Sequence, residues 1–146
     1  MDKQQDKNSE IKVSFNIEGK DFNAAGEASS RIKSILQQLG IRSAICRRTA
    51  IVAYEAEMNI VIHAEKGKMT LQVHPDSIEL KVEDEGPGID DLEEVMVEGF
   101  STAPDYIREM GFGAGMGLPN IKRSSDEFHI ESEVDKGVSL WVKIYL

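Results

Sequence analysis

The sequence predicts an α+β fold, a two-layer α/β sandwich in which helices cover one face of a mixed, mainly antiparallel sheet. Segments of alternating apolar and polar residues occur in pairs joined by short turns, which is typical of β-hairpins and therefore of antiparallel strands. Two helical segments follow one another before the first hairpin, and their apolar faces need a sheet to cover. The predicted order, β-α-α-β-β-α-loop-α-β-β, is not the regular alternation of a doubly wound parallel fold.

The first half of the chain is predicted to contain one strand and two helices. Apolar and polar residues alternate over 11–17, which is the pattern of a half-buried strand. A helix is predicted over 24–40, with Asp21 or Asn23 as its N-cap and a glycine at its end. A longer helix is predicted over 42–67, and its strongly apolar second half favours packing against the sheet.

The second half is predicted to contain two hairpins with a pair of short helices between them. The paired strands are predicted at 68–74 with 77–84, and at 127–134 with 138–146. Between the hairpins we expect a helix over 90–99, an irregular segment over 100–115 and a helix that starts near Gly117, with Pro119 in its first turn. A long irregular segment bounded by glycines suits a mobile lid.

Size and composition favour one globular domain. The chain has 146 residues, of which 40% are hydrophobic, so we predict a disordered polar tail over 1–9 and a single domain over 10–146. The formal charge of −9 argues against binding to nucleic acid or to an anionic membrane. The single cysteine, Cys46, fits a buried position and a reducing compartment. The start of the chain lacks an apolar signal segment, and we expect a cytoplasmic protein.

The first candidate motif is Glu55 with Asn59 on the long predicted helix. Residues four apart lie on nearly the same helix face, and His63, one turn further, lies at the edge of that face. A carboxylate and a carboxamide on an apolar helix need partners if buried, and Mg²⁺ with water and phosphate oxygens is one such partner. The alternative is that both side chains bond to backbone groups or lie in solvent. Glu57 points away from this face, and we expect it to be solvated.

The second candidate motif follows the strand predicted over 77–84. This strand ends in Asp84, and the chain then turns through Gly86 and Gly88. Glycines let backbone pass close to a flat ligand, and an ionised aspartate accepts hydrogen bonds from an amine such as the one on adenine. The alternative is a simple turn without a ligand.

The third candidate motif is a run of four glycines within 111–117. It lacks the context of the dinucleotide fingerprint and the lysine that ends a P-loop. A glycine-rich turn that enters a helix nevertheless presents several backbone N–H groups to an anion. A phosphate cradle, a tight turn and a hinge all remain open from this run alone.

The three motifs together resemble those of the GHKL, or Bergerat-fold, ATP-binding superfamily. The resemblance rests on E-x-x-x-N in a helix, D-x-G-x-G after a strand and a glycine loop that enters a helix. It covers 41–146, and the stretches 84–103 and 113–137 look most like the small switch serine kinases of bacterial partner-switching cascades. This superfamily also includes gyrase, MutL and the histidine kinases.

The resemblance implies ATP and Mg²⁺ as cofactors. By this likeness Glu55 is the catalytic base, Asn59 the Mg²⁺ ligand and Asp84 the residue that recognises adenine. The remaining residues that we assign to the cofactor-binding site are His63, Gly86, Gly88, Ser101, Thr102, Gly113, Ala114, Gly115, Met116, Gly117 and Leu118.

The chain departs from the relatives in its lid. Many of them carry a lysine directly after the serine–threonine pair, where this chain has Ala103 and Pro104, and its lid is longer. Arg108, within the additional segment, is our candidate to replace that cation at the γ-phosphate, and a solvated loop arginine is the alternative. Lys122 and Arg123 are the other candidates.

The implied function is an ATP-dependent serine/threonine protein kinase of the anti-sigma or switch-kinase type. Its implied partners are a STAS-domain protein as substrate and a sigma factor, and the strand over 11–17 is the expected edge of a homodimer. One alternative is an ATP-sensing anti-sigma or regulatory binding module without phosphotransfer. Another is an ATPase or a histidine-kinase-like catalytic domain.

Overall fold

The structure is a computed structural model that describes residues 11–89, 96 and 117–146. The described residues form five strands and three helices. In chain order these are β1 (Ile11–Glu18), α1 (Glu27–Gln38), α2 (Ser43–His63), β2 (Lys66–Val73), β3 (Ser77–Glu85), α3 (Gly117–Ser124), β4 (Glu127–Glu133) and β5 (Gly137–Tyr145). The predicted tail over 1–9, the helix over 90–99 and the irregular segment over 100–115 lie outside the described residues, apart from Met96.

The five strands form one sheet in the order β1-β2-β3-β5-β4, and every pairing between the described strands is antiparallel. The register brings apolar residues of neighbouring strands onto the same face, because directly paired residues point the same way. Leu80, for example, pairs with Leu71 on one side and with Val142 on the other. All three side chains are buried, so this face carries the core and the predicted α+β fold is confirmed.

Helix α2 lies at the centre of the helical layer, in contact with α1, with α3 and with β1, β2 and β3. Its second half supplies the buried side chains Ala56, Met58, Ile60, Val61 and Ile62. This confirms the expectation that the apolar half packs against the sheet. Cys46, near the start of α2, is also buried as expected.

The predicted start of the first helix was wrong by three residues. Helix α1 begins at Glu27, and its N-cap residue is Gly26, in the left-handed conformation and without a side-chain cap. Asp21 accepts a hydrogen bond from the backbone N–H of Ala24 instead, at 3.3 Å. The expected local cap is absent because the N-terminal N–H groups of α1 bind an acid from α2.

That acid is Glu57, which was expected to be solvated and is only 2% exposed. Its Oε2 accepts hydrogen bonds from the N–H groups of Gly26 and Ala28 at 3.0 and 3.2 Å, and its Oε1 accepts one from Ser29 at 3.0 Å. A helix N-terminus has unpaired N–H groups and a positive dipole end, and both favour a carboxylate there. The expectation of a solvated Glu57 is therefore wrong.

The predicted end of the long helix was also wrong. Helix α2 ends at His63 rather than at Gly67, and Ala64 is already extended. The N–H of Glu65 donates to the carbonyl of Glu85 at 2.8 Å, and β2 pairs with β3 from Lys66 onward. Pairing with a strand far along the chain thus ends the helix earlier than its local composition indicates. No helix among the described residues has the length and apolar character needed to cross a bilayer.

Candidate functional site

The first and third predicted motifs meet where α3 begins beside α2. Gly117, the first residue of α3, lies against Glu55 and Asn59. A Cβ atom built on Gly117 would lie 3.3 Å from Asn59 Oδ1 and 3.4 Å from Glu55 Oε1. Both side chains are half-buried. The four-residue spacing on α2 therefore aims both oxygens at Gly117, where a side chain would come into close contact with them.

Asn120 also contacts the glutamate of this site. Its Nδ2 donates to Glu55 Oε2 at 3.2 Å, and its Oδ1 accepts a hydrogen bond from Arg123 Nη2. Asn120 is not among the site residues predicted from the sequence. Its position three residues after Gly117 was the available indication, since residues three apart share a helix face.

Asp84, in the second motif, is half-buried near the end of β3. Its Oδ1 accepts a hydrogen bond from the backbone N–H of Val138 at 3.0 Å. Burial raises the pKa of the Asp84 carboxyl above its usual value, and the Val138 hydrogen bond opposes this in part. Desolvation dominates because the charged form loses more hydration than one hydrogen bond restores.

The segment after Asp84 is held by hydrogen bonds of its backbone to the β4–β5 hairpin. The N–H of Gly86 donates to the carbonyl of Lys136 at 3.0 Å, and the N–H of Asp135 donates to the carbonyl of Pro87 at 2.8 Å. The N–H of Ile89 donates to Ser132 Oγ at 2.6 Å. These three bonds attach the segment to the β4–β5 hairpin.

Gly86 and Gly88 allow two close approaches in this segment. A Cβ atom on Gly86 would lie 2.9 Å from the Cα of Ala64, at the C-terminal end of α2. A Cβ atom on Gly88 would lie 2.4 Å from the carbonyl oxygen of Glu133, and the φ of Gly88 is +76°. Both positions require glycine. The second motif is consequently packed against the same helix that carries the first motif.

His63 is the last residue of α2 and is half-buried. Burial lowers the pKa of its imidazole, and the positive charge of Lys20 lowers it further. Lys20 Nζ donates to the carbonyl of Ile62 beside it. The imidazole is therefore neutral at pH 7, because its ordinary pKa already lies below that pH.

The other predicted site residues are either on α3 or outside the described part of the chain. The side chain of Leu118 is buried in the hydrophobic core, so only its backbone is available to a ligand. The predicted residues that lie outside the described part of the chain are Ser101, Thr102, Arg108, Gly113, Ala114, Gly115 and Met116. Of the alternative cations, Lys122 and Arg123 are both exposed on α3.

Comparison with known proteins places this site in a family. A family model described as histidine kinase-, DNA gyrase B- and HSP90-like ATPase matches residues 44–146. The chain is 31% identical to serine/threonine-protein kinase RsbT of Bacillus subtilis (strain 168) over 112 residues. The matched region covers 74% of this chain and 78% of RsbT.

Anti-sigma F factors are also similar to this chain. The protein of Priestia megaterium is 32% identical over 102 residues, which are 65% of this chain and 66% of that protein. The protein of Geobacillus stearothermophilus is 33% identical over 98 residues, which are 63% of this chain and 64% of that protein. The chain thus spans somewhat less than two thirds of these two factors. Because the family model covers nearly all of α2 and every element after it, including the site, the chain belongs to the family of histidine kinase-, DNA gyrase B- and HSP90-like ATPases.

Proposed function

We propose that this protein is an ATP-dependent serine/threonine protein kinase. One observation carries the proposal: Glu55 and Asn59 of α2 both face Gly117, the residue that joins the glycine run to α3. Membership of an ATPase family supports ATP as the cofactor. The similarity to RsbT, which is named a serine/threonine-protein kinase, supports phosphotransfer as the reaction.

The phosphate end of the proposed ATP site is the point where Glu55, Asn59 and Gly117 meet. Asn59 Oδ1 is a neutral oxygen donor, which is a ligand type that Mg²⁺ prefers. Gly117 has no side chain. A Cβ atom built on it would lie only 3.3 Å from Asn59 Oδ1 and would take up part of the space beside that oxygen. We assign Mg²⁺ binding to Asn59. When bound, ATP would supply the phosphoryl group and Mg²⁺ would offset part of the negative charge of the phosphates.

The adenine end is assigned to Asp84 and the fixed segment after it. Asp84 Oδ1 accepts one hydrogen bond, from the N–H of Val138, and the carboxylate keeps acceptor capacity for the adenine amino group. Gly86 and Gly88 provide bare backbone beside the base. Because this segment is attached to the β4–β5 hairpin and packed on α2, it positions the base without first becoming ordered.

Glu55 is assigned as the catalytic base. The hydroxyl oxygen of a serine or threonine on the protein substrate forms the new bond to phosphorus as the bond to ADP breaks, and its proton passes to Glu55. The backbone near Gly113, Gly115 and Gly117 is assigned to the phosphates. Ser101, Thr102 and Arg108 are assigned to the lid beside them.

The proposed substrate is a STAS-domain protein, and a sigma factor is the proposed second partner. The similarity to anti-sigma F factors supports a role in such a cascade. Strand β1 lies at one edge of the sheet and pairs only with β2 among the described strands. Its free edge can pair with another strand, and we propose it as the homodimer interface, which sedimentation would test.

The test is transfer of labelled γ-phosphate from ATP to each STAS-domain protein encoded beside the gene. We expect transfer by the wild type, and a loss of about a hundredfold to ten-thousandfold in Glu55→Ala, which is the usual contribution of a general base. ADP affinity of the variant, measured by calorimetry, should stay within a few-fold. Full activity of Glu55→Ala would refute the assigned base, and absence of transfer to any STAS protein would favour a nucleotide-sensing binding module.

A further inference from the structure

We propose that Asn120 is a positioning residue that fixes the carboxylate of Glu55, so that Oε1 is the oxygen that accepts the substrate proton. The inference rests on the proposed kinase function of Glu55. Asn120 has no assigned role in the resemblance or in the comparisons. Two hydrogen bonds join Arg123, Asn120 and Glu55 in a chain.

The orientation of the Asn120 amide is determined by its two neighbours. Arginine is only a donor, so the Asn120 atom that faces Arg123 must be the carbonyl oxygen. An ionised carboxylate is only an acceptor, so the Asn120 atom that faces Glu55 must be the NH₂ group. Reversing the amide would place donor against donor and acceptor against acceptor. Arg123 therefore directs the N–H groups of Asn120 toward Glu55.

The two oxygens of Glu55 are consequently not equivalent. Oε2 accepts the hydrogen bond from Asn120 at 3.2 Å. Oε1 faces Gly117, 3.4 Å from a Cβ atom built there, and no hydrogen bond reaches it from the part of the chain that the structure describes. Oε1 is thus the oxygen available to a substrate proton, on the side where the glycine run enters α3.

Asn120 is carried by a well-anchored element. Leu118, Pro119 and Ile121 of α3 are buried. At the far end of α3, Arg48 Nε donates to the carbonyl of Ser124 at 3.1 Å. A side chain on a packed helix holds its partner more precisely than one on a loop. Gly117 and Asn120, one turn apart on this helix, therefore set both the space in front of Oε1 and the hydrogen bond on Oε2.

The contact has a readout that does not need kinase activity. In the nucleotide-free protein, the side-chain amide of Asn120 should give ¹⁵N and ¹H NMR resonances that shift when Glu55 is changed to Ala. The side-chain amide of Asn23, which is exposed in the turn before α1, should not shift. Unchanged Asn120 resonances would overturn the inference whatever the reaction of the protein is.

The role is tested by single-turnover transfer of labelled γ-phosphate to the STAS protein that the wild type phosphorylates. Asn120→Asp keeps the size but replaces the donor by a like charge, and we expect the transfer rate at saturating ATP to fall about tenfold to a hundredfold. Asn120→Gln keeps the NH₂ group on a longer side chain and should retain more of the rate. Asn23→Asp makes the same chemical change at an exposed site and should transfer at the wild-type rate.

The binding constants separate positioning from a structural role. ADP affinity and the KM for the STAS protein should stay within about twofold in both Asn120 variants. If Asn120→Asp transfers at the wild-type rate, or loses ADP affinity as much as rate, the positioning role is wrong. If the wild type transfers no phosphate while the NMR contact is present, the proposed kinase function fails and the contact stands as a structural one.

Discussion

Two glutamates on α2 show how the same residue type acquires opposite tasks. Glu55 and Glu57 are two residues apart, which is about 200° around the helix, so they face opposite neighbours. Glu57 faces α1, is almost fully buried and accepts hydrogen bonds from three backbone N–H groups. Glu55 faces α3, is half-buried and, among the described residues, accepts one hydrogen bond, from the side chain of Asn120.

The number of bonds on each carboxylate explains this difference. With both oxygens engaged by backbone N–H groups, Glu57 has little capacity left for a ligand, and it joins α1 to α2. Glu55 has an oxygen that no described residue bonds, on the side of Gly117, which has no side chain. A saturated carboxylate stabilises the fold, whereas a partly unsatisfied one is available for chemistry.

The largest expected effect is the loss of stability when Glu57 is replaced by alanine. Glu57→Ala would leave three N–H groups at the start of α1 without their acceptor, and we expect the free energy of unfolding to fall by about 3 kcal/mol. Glu55→Ala is the matched control, and we expect a change of about 1 kcal/mol or less, because one hydrogen bond is lost at a half-buried site. Urea unfolding of both variants measures this. Equal losses would contradict the division of tasks.

A smaller effect is expected at the adenine end of the site. Replacing Asp84 by Asn removes the charged acceptor, and we expect ADP affinity at pH 7 to fall about tenfold to a hundredfold. Calorimetry measures this directly. Unchanged affinity would remove Asp84 from the proposed site.

The pH dependence of ADP binding gives a second test of Asp84. Burial raises the pKa of this carboxyl above the ordinary value, and its ionised form is the stronger acceptor of the adenine hydrogen bond. As pH falls toward the raised pKa, the wild type should therefore lose affinity at a higher pH than an ordinary aspartate would allow. Titrations between about pH 7.5 and 5 should show a larger loss in the wild type than in Asp84→Asn, because the terminal phosphate of ADP titrates equally with both proteins.

The smallest effect is expected from filling the space between Glu55 and Asn59. Gly117→Ala would place a methyl group 3.3 Å from Asn59 Oδ1 and 3.4 Å from Glu55 Oε1, so both side chains must move slightly. We expect affinity for Mg²⁺–ADP to fall about tenfold or less. Affinity for ADP measured without Mg²⁺ is the internal control and should change less. The opposite order would argue against Asn59 as the Mg²⁺ ligand.

Much of the fold followed from local pattern. The alternation of apolar residues predicted the strands and both hairpins to within about two residues, because strand periodicity depends only on neighbours in sequence. The four-residue spacing of Glu55 and Asn59 likewise predicted a shared helix face, and the structure shows both facing Gly117. The roles assigned to these residues stay predictions.

The predicted helix ends were wrong where contacts with residues distant in sequence determine where the helix begins or ends. Helix α1 starts at Glu27 because Glu57, from another helix, satisfies its first N–H groups. Helix α2 ends at His63 because the residues that follow it pair with β3. Local propensity carries no information on which element lies alongside, so these ends and the burial of Glu57 could not be deduced from composition.

The sequence by itself determined the order of the described strands and helices and the residue types available for chemistry, because both are encoded in spacing along the chain. Only the tertiary structure decided which of the two glutamates on α2 is saturated and which has an oxygen that no described residue bonds. It also decided that Asn120 is the residue that bonds Glu55. The physical reason is that hydrogen-bond satisfaction depends on partners brought close by folding, and Asn120 and Glu55 are separated in sequence by 65 positions.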